Sequence, residues 1–138
     1  MRSTNGTVAK ALCAIVGGLL LALGGAIWSG FGVGVARAHI ILGVFFAIVL
    51  SAIAVALAAR RQAAFGYTLL LFVIVMTVFG VAHPAIFPGP YHWIVRVVHV
   101  LIGATAGTVG YRFAARLDVG VRRDAPSRRR TASWVDGD

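Results

Sequence analysis

The chain contains no glutamate, and its four aspartates (Asp118, Asp124, Asp136 and Asp138) all fall after Leu117. Residues 1–117 therefore hold no carboxylate. That argues against pumps, transporters and channels, which place such groups at mid-membrane, and it removes the usual general bases. There is a single cysteine, Cys13, so no disulfide framework exists. Charged residues make up only 12% of the chain against 59% apolar, and the mean hydropathy is +0.90. A soluble chain of 138 residues could not cover its surface with so few polar groups.

The apolar residues come in four runs, at 9–28, 37–59, 65–82 and 92–111. Each is close to the roughly 20 residues that a membrane-crossing helix needs. The expected fold is all-α: an antiparallel four-helix transmembrane bundle over residues 1–116. A disordered, basic tail is expected over 117–138, rich in Arg, Ser and Asp and without apolar periodicity. The first run has the basic start of a signal peptide but is too long for its apolar core, and reads as the first span.

The net charge of +9 is not a nucleic-acid signal, because the basic residues sit at the ends of the runs. Arg2 and Lys10 lie at the start of the first, Arg60 and Arg61 between the second and third, and Arg112, Arg116 and the tail arginines after the fourth. The other two connections carry no basic residue apart from Arg37, at a helix start. The positive-inside rule then predicts both termini in the cytoplasm of a bacterial plasma membrane. The basic tail suits anionic lipid, and a homo-oligomer is compatible with the apolar surface.

Small residues in the first run (Ala14, Gly17, Gly18, Gly24 and Gly25) form a smooth stripe suited to close helix packing. The second run carries His39, Gly43, Phe46, Leu50 and Ala54 on one face, and the third Phe72, Met76, Phe79 and His83. Pro84, Pro88 and Pro90 end the third helix and stiffen the loop that follows. The fourth run aligns His92, Arg96, His99, Gly103, Ala106 and Gly110.

Two of these histidines head the same motif: His39-Ile40-Ile41-Leu42-Gly43 and His99-Val100-Leu101-Ile102-Gly103. Residues i and i+4 share a helix face, so each motif presents an imidazole with a gap in the side-chain wall one turn away. A flat macrocycle bound through its iron needs a nitrogen ligand on each side and no side chain at the ring edge. Arg37 and Arg96 precede the two histidines and are candidates to hold the macrocycle's carboxylates. The two halves echo each other, and a pseudo-twofold axis would bring His39 and His99 face to face. Counting from the nearest arginines, however, leaves His39 about one helical turn shallower than His99. By depth His92 matches His39 better. A rim site of His39, His83 and His92 for copper or zinc is the rival constellation, and His83 with His92 could form a second site.

Four helices, with one histidine at the outer end of the second and another in the fourth about sixty residues on, resemble one half of a heme A synthase. Small single-unit b-type membrane cytochromes look similar. The resemblance spans His39 through Tyr111 and implies His39 and His99 as axial ligands of heme b. One departure matters: Arg37-Ala38 stands where the family's catalytic unit has an acidic residue before the histidine. The expected function is therefore electron transfer with quinol or a respiratory complex, as a carrier rather than an enzyme. The alternatives are a cofactor-free membrane protein that assists or regulates a larger complex, or copper or heme handling at the outer face.

Overall fold

In a computed structural model, which describes residues 4–123, the chain folds into four long helices. They are α1 (Thr4–Trp28), α2 (Val33–Ala59), α3 (Ala63–Ala82) and α4 (His92–Arg123), with one 3-10 turn, His83–Ala85, after α3. Four segments are long and apolar enough to cross a membrane, the shortest being 23 residues; the third, Ala63–Ala85, is α3 together with the 3-10 turn. At about 1.5 Å per residue that exceeds a hydrocarbon core of about 30 Å. Helices suit such a setting because they satisfy their own backbone. The hydroxyls follow suit: Thr68, Thr105 and Thr108 donate to the carbonyls of Ala64, Leu101 and Ala104 one turn back.

The helix ends follow from local chemistry. Gly30 takes φ +89 after α1, and the Phe31 amide donates back to the Ala26 carbonyl, closing a Schellman turn. The break is confined to residues 29–32, so Val33 and Gly34 already belong to α2. The apolar run places that helix start near Arg37, with a short loop over Gly30–Gly34; the structure begins α2 one turn earlier. Between α2 and α3, Arg61 adopts φ 59 and the Gln62 amide donates to the Leu57 carbonyl. Helix α4 continues past Tyr111 to Arg123, so residues 117–123, expected in the tail, are helical. The remainder of the expected tail, 124–138, lies outside the described residues.

Helix α1 packs against α2 and α4, and α3 packs against α2 and more sparingly against α4. Two close approaches set this arrangement. A Cβ on Gly17 would lie 3.2 Å from the Gly107 Cα, so α1 and α4 meet nearly backbone to backbone. A Cβ on Gly66 would lie 2.6 Å from the Ala54 carbonyl oxygen, which locks the start of α3 onto α2. At this arginine end, Arg60 Nη1 donates to the Leu117 carbonyl at 2.7 Å, and the Arg116 guanidinium lies 3.8 Å from the Phe65 ring centre.

The core is built from Cys13 and Val16 of α1, Phe46, Leu50, Ile53, Ala54 and Leu57 of α2, Leu69 and Val73 of α3, and Ala106, Ala114 and Leu117 of α4. It fills the middle and the arginine end. Outward-facing Ile41, Val55, Leu71, Val78 and Leu101 are all exposed, an apolar surface suited to lipid. Toward the histidine end the core gives way to a cavity.

Candidate functional site

All four helices line this cavity of about 790 Å³. Phe46, Val73 and Ala106 of the core form its floor. Each helix also contributes a glycine: Gly24, Gly43, Gly80 and Gly103. A Cβ on Gly43 would lie 4.0 Å from Leu20 Cδ2, and one on Gly103 4.0 Å from Leu21 Cδ2. The missing side chains create the space, as the two His-x-x-x-Gly motifs predict.

The histidines converge on the same end. His39 lies six residues into α2 and His99 seven into α4, so their depths match. Counted from the Arg60–Leu117 contact rather than from Arg112, the two histidines come to similar depths, and the mismatch that sequence counting produced disappears. Their ring centroids are 6.0 Å apart with the planes inclined at 45°. His39 Cε1 would lie 3.6 Å from a Cβ on Gly24, and His99 Cε1 3.9 Å from one on Gly80. Phe79 stacks on His99 at 6.1 Å. Each imidazole thus rests with an edge on bare helix backbone. Among the described residues, the buried Nδ1 atoms of both rings form no hydrogen bond of good geometry, although the His39 ring interacts with the Leu20 backbone. A buried polar atom left unpaired costs about 1–3 kcal/mol.

His83 and His92 are held differently. Pro84 stops α3 just beyond His83, whose Nδ1–H donates to the Gly80 carbonyl at 2.9 Å. His92, the first residue of α4, donates its Nδ1–H to the Ile86 carbonyl at 3.3 Å. A carbonyl only accepts, so each neutral ring keeps its proton on Nδ1 and leaves Nε2 as an acceptor. The two rings stack at 6.3 Å, and His83 comes within 4.6 Å of His99. The four histidines therefore form a row in the order His39, His99, His83, His92. His83 joins His99 as well as His92, and it is His99 whose ring meets His39. Among the described residues, no three His, Cys, Asp or Glu side chains converge into an ion site, so the rim constellation of His39, His83 and His92 is not assembled.

Arg37 and Arg96 are exposed and do not line the cavity. Arg37 precedes His39 by two residues, and positions i and i+2 do not share a helix face. Sequence reasoning also missed Gly24 and Gly80 as the surfaces that receive the imidazole edges. Gly80 receives the ring of a histidine on another helix, which no spacing along α3 signals, and Gly24 was absorbed into a packing stripe. In that stripe Gly17 does meet α4, whereas nothing lies near a Cβ built on Gly18 or Gly25. Comparison with protein families, curated proteins and solved structures gives no match.

Proposed function

We propose that this chain is a membrane-embedded b-type heme protein in which His39 and His99 ligate the iron from opposite sides. One observation carries the reading: the two ring centroids lie 6.0 Å apart at the head of the cavity, and among the described residues each ring has a buried Nδ1 that forms no hydrogen bond of good geometry. With metal–nitrogen bonds of about 2.0–2.1 Å, two imidazoles on opposite sides of one ion have centroids roughly 6.4 Å apart. Only a small adjustment separates the present spacing from that value. The cavity is apolar, falls within the usual range of about 300–1,000 Å³ for ligand sites, and has a glycine in each wall.

Bound there, heme supplies one-electron redox chemistry, with the protein setting its potential through ligands and burial. His39 and His99 would hold the iron, and with both imidazoles engaged the reading favours electron transfer with quinol or a respiratory partner over oxygen chemistry. Gly24 and Gly80 support the imidazole edges, and Gly43 and Gly103 leave room beside the rings. Arg37 and Arg96 have no ligand role in this reading. The bundle is antiparallel with both termini in the cytoplasm of a bacterial plasma membrane, so the histidine end faces outward. The charge distribution supports that orientation.

A second reading, copper or zinc handling at the outer face, is favoured by the hydrogen bonds that orient His83 and His92 with free Nε2 atoms, a common arrangement in metal-binding histidines. The visible spectrum of the purified protein, oxidised and reduced, separates the readings. The heme reading expects a Soret band and a sharp reduced α band. His39→Ala and His99→Ala should each abolish heme retention or make the iron high-spin, and His92→Ala should preserve the spectrum. No Soret band after growth with ample heme, or bleaching by His92→Ala but not by His99→Ala, would overturn the assignment. A bound metal without heme would establish the second reading.

A further inference from the structure

We infer that the cavity fills and empties sideways, through a slot between α2 and α3 that opens to the bilayer interior, so that its ligand is one dissolved in the membrane. The inference rests on the heme reading and adds the route. Ile40, Val44 and Ile48, spaced four residues apart on α2, line the cavity and are also 64%, 58% and 62% exposed. Across from them, Thr77 and Val81 of α3 line the cavity and are exposed as well, Val81 by 78%. A residue that both lines a cavity and faces outward marks its rim. The opposite wall is tighter: Ile102, Gly103 and Ala106 of α4 are half-buried or buried, and the lining residues exposed there, Leu21 and Val100, are so by only 41% and 38%.

The shape follows from one contact. Gly66 locks α2 to α3 at the arginine end, where Ala54, Leu57 and Leu69 are buried. Toward the histidine end the same two helices leave the cavity between them. The aqueous route there is narrowed by the turn of His83 and Pro84, both of which line the cavity, and by His92 stacked on His83. Apart from the Thr77 hydroxyl, the slot residues named here are apolar. They suit passage of a flat apolar macrocycle and give a hydrated ion no replacement for its water.

The test uses full-length heme-loaded protein in phosphatidylcholine–phosphatidylglycerol vesicles, with excess apomyoglobin outside as acceptor. The readout is the rate at which heme leaves the protein, followed by absorbance. Val44→Trp and Val81→Trp place bulk at the two edges of the slot on exposed positions, and Ile48→Trp serves as a second α2 variant should either fail to fold. Each should retain the wild-type spectrum yet release heme about tenfold more slowly, as expected of residues that gate a path without holding the ligand. Val97→Trp, in the groove beside Trp28 that adjoins the cavity through Leu21 and Val100, blocks the α1–α4 side instead and should release heme at the wild-type rate. Wild-type release from the slot variants, or equal slowing by Val97→Trp, would overturn the lateral route and leave the heme reading intact. Absence of heme from the wild-type protein would instead overturn the reading beneath it.

Discussion

Replacing Gly66 with alanine should destabilise the bundle, and the size of the effect can be worked from one contact. The new Cβ would lie 2.6 Å from the Ala54 carbonyl oxygen and 3.0 Å from both the amide nitrogen and the Cβ of Ala58. Ordinary contact begins near 3.4 Å, so α2 and α3 would have to separate by about 0.8 Å. Two of the three opposing atoms belong to helix backbone and cannot rotate away. Overpacking of this kind costs about 1–3 kcal/mol. Alanine recovers about 0.8–1.0 kcal/mol through its better helix propensity. The expected net loss is therefore about 1 kcal/mol, with an upper end near 2 kcal/mol. Gly18→Ala isolates the propensity term, because nothing lies within 4 Å of a Cβ there. That variant should gain stability, by up to about 1 kcal/mol. Both can be measured by unfolding in mixed micelles of rising dodecyl sulfate fraction, followed by the helical circular dichroism signal. If Gly66→Ala proves as stable as Gly18→Ala, the close approach of α2 and α3 is wrong.

A cysteine introduced at Gly89 should react with an impermeant thiol reagent added to intact cells, whereas one at Gln62 should not; the opposite pattern would reverse the proposed orientation. Arg60→Met removes the 2.7 Å charge-assisted bond to the Leu117 carbonyl, and in the same micelle assay it should cost about 1 kcal/mol, reduced from the full value by partial exposure. No change would mean that the contact contributes nothing to holding α2 against α4.

The four helices were legible in the sequence because apolar runs this long have few other solutions. Their ends were less so. The glycines from Gly30 to Gly34 suggested a short loop, but only Gly30 takes the left-handed conformation, and Gly34 already belongs to α2. The depth of His39 against α4 is set at the other end, where Arg60 bonds the Leu117 carbonyl rather than lying level with Arg112. The roles of Gly43 and Gly103 as cavity wall were readable from a spacing of four within one helix, and the approach of His39 to His99 from the echo of the two motifs, against the count of depth. The position of His83 was not, since it depends on how the turn before Pro84 folds back toward α4. Gly24 and Gly80 serve imidazoles on other helices, and no spacing within a single helix could report that.

Cys13 is fully buried at the α1–α4 seam, its Sγ 3.0 Å from where a Cβ on Gly110 would sit. A thiol held there can meet a reagent only when the two helices part. The native chain thus carries its own clock for local opening. Its alkylation rate by a small permeant reagent, divided by that of a free thiol, gives the equilibrium constant for parting α1 from α4 when reclosing is fast. The same seclusion keeps the wild-type background silent in surface labelling, so the single cysteine can remain while others are introduced elsewhere.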